Sequence, residues 1–100
     1  MSKEVRACQI HSKDSVATAL DEISMVDTVA VFNKSGDYLF SLTAFGSVPI
    51  GHKIALSDYD IGSIIFKYSQ PIGKAYEAIH AGEHVHTHNL RGLRGRGDKK

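Results

Sequence analysis

The tightest constraint on this chain is how often it is interrupted. Gly36, Pro49, Gly51, Gly62, Pro71, Gly73 and Gly82 break it at short intervals. Glycine admits positive φ, and proline fixes φ and lacks a backbone donor, so both punctuate regular structure. Between the breaks lie TVAVF (28–32), YLFSL (38–42), HKIALS (52–57) and SIIFKY (63–68). These runs are short and rich in β-branched and aromatic residues, the signature of strands. NKSGD (33–37) joins the first two as a hairpin turn with Gly36 at its tip. One stretch departs from this pattern. Val16, Ala19, Leu20 and Ile23 fall at i, i+3, i+4 and i+7, which predicts a short N-terminal helix over 14–23 with Ser12 or Asp14 as its cap. The expected fold is therefore mostly β, with one helix and many short strands.

A chain of 100 residues forms one domain with a small core. Its formal net charge of +1 supplies no single-sign field that would mark a nucleic-acid or acidic partner. No apolar run approaches the roughly 20 residues that span a bilayer. The opening, MSKEVRACQIHSKD, lacks the apolar core of a signal peptide. The single cysteine, Cys8, cannot form an internal disulfide, which fits a reducing compartment. These features point to a cytoplasmic protein that binds neither nucleic acid nor membrane.

A weak internal repeat supports the strand reading. DYDIGSIIFKY (58–68) aligns with AIHAGEHVHTH (78–88) when Gly62 is set over Gly82. EISMVDTVAVF (22–32) fits the same frame, with Ile23 over Ile79 and Val29 over Val85, although Val26 stands in the glycine position. The repeated unit is a turn that delivers a short strand. In that frame Val85 takes the core position of Ile65. His84, His86 and His88 then share the opposite face, where the earlier copy carries Ile64, Phe66 and Tyr68.

Four of the six histidines lie in HAGEHVHTHNL (80–90). Alternate residues of a strand share one face, about 7 Å apart at roughly 3.3 Å per residue. Imidazoles so placed can converge on iron, zinc, copper or nickel, or move protons near neutral pH. His86 and His88 are the expected metal ligands. His84 is an expected catalytic residue, and so is His52, at a loop-to-strand junction. Glu83 and Asn89 are expected to add oxygen ligands or hydrogen-bond partners. The stretch holds no cysteine, so a structural zinc site is not expected. Lys53, or Lys67 with Tyr68, can clamp a carboxylate or an oxyanion. Gln70, before Pro71, can donate to a substrate hydroxyl. The competing reading of the histidines is a solvated strand face. His11 and His80 read as surface residues, and Cys8 as a small buried hydrophobe.

Three motifs occur in order: VPIGHKIAL (48–56), KYSQPIG (67–73) and AGEHVHTHNL (81–90). Together they resemble the SAF-type small domain of the altronate/galactarate dehydratase family. The likeness runs from IHSKDSVATAL (10–20) to Asn89. It implies a β-clip fold, built from short strands folded over on themselves. It also implies lyase chemistry that depends on a divalent metal, typically Fe(II), held in the assembled enzyme. In this family the domain is either fused to a large catalytic domain or forms a separate small subunit, as in sulfolactate sulfo-lyase. The large catalytic domain is not part of these 100 residues. The resemblance therefore implies a small subunit, inactive alone, that joins a large dehydratase-like subunit to act on a hydroxy acid. An unused interface leaves apolar surface exposed, so self-association is expected when the partner is absent. The alternatives are the small subunit of a sulfolactate sulfo-lyase and a non-catalytic sugar-acid-binding module. NLRGLRGRGDKK (89–100) mixes glycine with basic residues, so the expected domain is 1–90 and the expected flexible basic tail is 91–100, serving to dock the large subunit.

Overall fold

A computed structural model describes residues 3–92. Nine strands follow one another: β1 (Glu4–Gln9), β2 (Val16–Ala19), β3 (Thr28–Asn33), β4 (Tyr38–Thr43), β5 (Lys53–Ala55), β6 (Ile64–Lys67), β7 (Gln70–Ala75), β8 (His84–Val85) and β9 (Leu90–Gly92). They form a six-stranded sheet, β4-β3-β1-β2-β5-β8, and a three-stranded sheet, β6-β7-β9. All pairings are antiparallel except that of β1 with β3. Among the described residues no helix is long and apolar enough to cross a membrane.

The mostly-β expectation holds, but the N-terminal helix does not exist. Residues 16–19 form β2, a central strand between β1 and β5. Val16, Ala17 and Ala19 are all buried, because both faces of this strand are covered. A strand buried on both faces loses the alternation that identifies strands. The helical spacing was completed by Leu20, which is exposed, and by Ile23, which belongs to a separate bridge with Val48.

The repeat is larger than its sequence trace. Four octapeptides, ALDEISMV (19–26), AFGSVPIG (44–51), ALSDYDIG (55–62) and AYEAIHAG (75–82), adopt one design. Each opens on a buried alanine, crosses a bridge residue and ends at a residue with positive φ: Val26 at 67°, Gly51 at 85°, Gly62 at 94° and Gly82 at 88°. The units work in pairs. Ile23 bridges Val48, and Tyr59 bridges Ile79. Each terminal N–H donates to the opening alanine of another unit: Val26 to Ala44, Gly51 to Ala19, Gly62 to Ala75 and Gly82 to Ala55. The same alanines donate back to the next residue along, Asp27, His52, Ser63 and Glu83. Thus the stretch from β2 to β5 is repeated as the stretch from β5 to β8. β5 closes the first copy and opens the second, and the β3–β4 hairpin matches the β6–β7 hairpin.

The core divides the same way. Ile23, Val29, Val31, Val48 and Ile54 centre one cluster, and Val16, Ile65, Ile79 and Val85 centre the other. Burying each Val or Ile side chain contributes roughly 1.5–3 kcal/mol. Val85 and Ile65 are both fully buried, as the repeat frame requires. β9 brings Arg91 and Gly92, which the sequence placed in the tail, into the three-stranded sheet opposite Lys74 and Gly73. Residues 93–100 lie outside the described residues.

Candidate functional site

The duplication places two equivalent turns side by side. Turn 48–51 delivers β5 and turn 79–82 delivers β8, and these strands pair with Lys53 opposite Val85 and Ile54 opposite His84. His52, just before β5, therefore meets His84 on β8. Their rings lie 5.0 Å apart at the centroids, with His52 Nδ1 and His84 Nε2 at hydrogen-bond distance, 2.9 Å. His86 stacks on His52 at 4.9 Å and on His84 at 5.3 Å, and His88 lies 5.5 Å from His84. Four imidazoles thus form one contiguous cluster with His84 at its centre.

The turns explain why His52 is free to join it. In two other units the residue after the positive-φ position caps its own turn: Asp27 accepts from Ser24 N–H, and Glu83 accepts from His80 N–H. At the equivalent place His52 stands three residues after Pro49, which has no N–H to cap. Glu83, by contrast, engages Oε1 in its own turn.

The three C-terminal histidines do not lie on one long strand. β8 ends at Val85, and the chain turns over 86–89, with Asn89 N–H and Leu90 N–H both donating to the His86 carbonyl. Asn89 holds this turn. Its side chain is fully buried, accepts from His86 N–H through Oδ1 at 3.0 Å and donates from Nδ2 to the His84 carbonyl at 2.9 Å. Tyr76 adds a second brace: its hydroxyl donates to the Thr87 carbonyl and its N–H to the Asn89 carbonyl. Sequence reasoning offered Asn89 as a ligand or hydrogen-bond partner, and it is the latter. Tyr76 was missed, and only its place after a repeat-opening alanine could have signalled it.

The electrostatics of the cluster have one sign. Burial, then His52, His86, His88 and Lys53, push the His84 pKa down to about 4. Burial also lowers the Lys53 pKa, and Lys67 adds repulsion. Lys53 and Lys67 therefore sit near each other, and no carboxylate contributes to either shift. Lys67 also lies over the Tyr68 ring, 4.7 Å from its centre. Tyr68 and Ser69 form the two-residue β6–β7 turn, both at positive φ, which is strained for residues other than glycine. Asp14 offsets part of that strain by accepting from Ser69 N–H. Lys67 is thus brought toward Lys53, whereas no hydrogen bond joins Tyr68 or Gln70 to the imidazoles. His11 and His80 are exposed, as expected, and Cys8 is half-buried.

The donor set can be tested against a metal ion. His52 Nδ1 and His84 Nε2 stand 2.9 Å apart and share a hydrogen bond, closer than the roughly 3.3 Å between two ligands of a tetrahedral ion with bonds of about 2.0–2.1 Å. Among the described residues no three His, Cys, Asp or Glu side chains surround a common point. By itself, therefore, the cluster does not present the three ligands of a bound ion.

The comparisons with known proteins agree with this architecture. The altronate/galactarate dehydratase SAF domain family matches residues 5–93. Altronate dehydratase of Escherichia coli is 41% identical over 83 residues, which cover 83% of this chain and 16% of that enzyme. Altronate dehydratase of Bacillus subtilis is 34% identical over the same shares. The (2R)-sulfolactate sulfo-lyase subunit alpha of Paracoccus pantotrophus is 46% identical over 52 residues, 52% of this chain and 78% of that subunit. The chain therefore spans only a small part of the dehydratases but most of the sulfo-lyase subunit, and it belongs to the altronate/galactarate dehydratase SAF domain family.

Proposed function

We propose that this chain is the small subunit of a hydroxy-acid lyase, most simply a sugar-acid dehydratase, working in the cytoplasm with a separate large catalytic subunit. The observation that carries this reading is the cluster of His52, His84, His86 and His88 beside Lys53 and Lys67. It is a concentration of proton-transfer groups and cations, and among the described residues no carboxylate contributes to the shifts of His84 or Lys53. An anionic hydroxy acid supplies the missing charge.

Dehydration removes the proton α to a carboxylate and expels the β-hydroxyl, and the enol then becomes a 2-keto-3-deoxy acid. Lys53 and Lys67 hold the carboxylate and the negative charge that develops on it. His84 is neutral at physiological pH and carries a free nitrogen, with His52 as its hydrogen-bond partner. A bound carboxylate reverses the local field, raises the basicity of His84 and so favours proton transfer at its imidazole nitrogen. A divalent ion, Fe(II) in this reading, would be held in the assembled enzyme by His86 and His88 with further ligands from the large subunit, and would supply Lewis-acid stabilisation of the carboxylate. Tyr68 and Gln70, on the β6–β7 hairpin, are the further substrate contacts in this reading. The second reading is a sulfo-lyase, in which sulfite leaves in place of hydroxide. It is favoured by the high coverage of the sulfo-lyase subunit alpha.

The test is to purify the chain with a large dehydratase-like partner and screen sugar acids and sulfolactate. The complex is expected to release water or sulfite, and the chain alone to be inactive. His52→Ala and His84→Ala complexes are expected to assemble but to turn over at least about tenfold more slowly. Full activity in both variants, or turnover by the chain alone, would refute the proposal.

A further inference from the structure

The tip of the histidine turn is not held by packing. Val85 and Asn89 are buried, but His86, Thr87 and His88 between them are exposed. Asn89 fixes the ends of the turn, through the His86 N–H and the His84 carbonyl. The middle depends on Tyr76. Among the described residues, the Tyr76 hydroxyl makes the only hydrogen bond that reaches residues 86–88 from outside the segment 84–90, donating to the Thr87 carbonyl. The Tyr76 N–H ties the same residue to the Asn89 carbonyl. The Arg91 guanidinium lies over the Tyr76 ring, 4.9 Å from its centre, so the ring is also held from β9.

The duplication shows that the fold does not require this hydroxyl. Tyr76 follows the opening alanine of its unit, and the residues at the same place in the other units are Leu20, Phe45 and Leu56. None of these carries a polar side-chain atom. The unit beside the imidazoles has a phenol there, and its hydroxyl holds the turn that bears two of them. The other half of the cluster is set differently. His52 and His84 meet through the pairing of β5 with β8, and no described hydrogen bond joins Tyr76 to either strand. We propose that Tyr76 is a positioning residue. Its hydroxyl sets where His86 and His88 stand relative to His84 and His52, while the His52–His84 pair is held independently. The consequence for turnover rests on the lyase reading above; the positioning itself does not. In that reading Lys53 and Lys67 hold the substrate carboxylate, so loss of the hydroxyl leaves substrate binding in place and slows the chemical step.

The experiment uses Tyr76→Phe, which removes one oxygen and keeps the ring beneath Arg91. Nuclear Overhauser effects between histidine rings of the full chain are measured first. In the unsubstituted chain the His84–His88, His52–His86 and His52–His84 contacts are all expected, from ring separations of 5.5, 4.9 and 5.0 Å. In the variant the first two are expected to weaken and the third to stay. The lost bond is exposed, so water replaces it and Tm is expected to stay within about 4 °C. In an active complex with the large partner, kcat is expected to fall at least about tenfold, with KM changed by no more than about twofold. Tyr76→Leu, the side chain present at positions 20 and 56, is the second variant should the first fail to fold, and the same pattern is expected of it. All three ring contacts kept in a folded variant, all three lost together, or an unchanged kcat in an active complex overturns the proposal. A complex inactive on every acid refutes the lyase reading, and the ring contacts then decide this one.

Discussion

Replacing Asn89 with alanine tests whether the imidazole cluster rests on one buried side chain. The substitution removes the acceptor of His86 N–H and the donor to the His84 carbonyl. Asn89 is fully buried, so water does not readily take over both bonds. Each buried polar group left without a partner costs about 1–3 kcal/mol. The expected loss is therefore about 2–6 kcal/mol, a large share of the roughly 5–15 kcal/mol that stabilises a typical domain. Urea unfolding measures it directly. In a thermal melt each kcal/mol lowers Tm by about 4–8 °C for a domain of this size. Ring-to-ring contacts between His86 and His52, read by nuclear Overhauser effects in folded protein, are expected to weaken together with stability. Asn89→Asp separates the two bonds. Its carboxylate still accepts from His86 N–H but sets an oxygen against the His84 carbonyl. Its folded pKa is then raised, so this variant regains stability as pH falls and the protonated carboxyl becomes a donor. A loss below about 0.5 kcal/mol for Asn89→Ala, within the range of an ordinary surface substitution, with the His86–His52 contact intact, would refute the reasoning.

Two further outcomes follow from the fold. His84, faced by His52, His86, His88 and Lys53, has a folded pKa of about 4 against 6.5 when unperturbed. Between these values the unfolded chain binds the proton and the folded chain does not, so stability is complete above pH 6.5 and is lost as pH falls toward 4. Urea unfolding across that range is expected to show the slope, and His84→Gln to reduce it; an unchanged slope in the variant would assign the effect to another group. Gly62→Ala and Gly82→Ala share the same positive φ but not the same surroundings. A Cβ at 62 meets open space, so only the backbone penalty of about 1–2 kcal/mol applies. At 82 it would lie 2.3 Å from the Thr43 carbonyl oxygen and 3.0 Å from Phe45 N, so Gly82→Ala is expected to melt well below Gly62→Ala, and equal melting points would contradict the packing described.

Much of the architecture was legible because turns and exposed faces leave local marks. The β3–β4 hairpin, the strand at 64–67 and the core position of Val85 all followed from alternation and turn residues. β2 was not legible, because burial on both faces removes alternation. β7 was hidden by Pro71 and Gly73, which read as breaks. Among the described residues Pro71 has no partner in β9, so its missing donor breaks no described ladder bond. Gly73 is where β9 passes so close that a Cβ would lie 2.7 Å from the Arg91 carbonyl oxygen. The unit at 44–51 is hidden for a similar reason, since Pro49 and Gly51 read as interruptions. At the site, histidine spacing pointed to residues whose rings do come together, but assigned them to a strand. Their convergence depends on the turn at 86–89 and on β5–β8 pairing between residues over 30 positions apart, which no local pattern records.

The sharing of β5 between the two copies has a thermodynamic consequence. Two copies joined by a linker could melt in separate steps, each keeping its own core. Here β5 is hydrogen-bonded to β2 on one side and to β8 on the other. Losing either copy strips one edge of the strand that completes the other. The chain is therefore expected to unfold in a single cooperative transition. The His52–His84 contact spans that seam, so a histidine signal should disappear at the same denaturant concentration as the backbone signal, and no partly folded form would carry half a site.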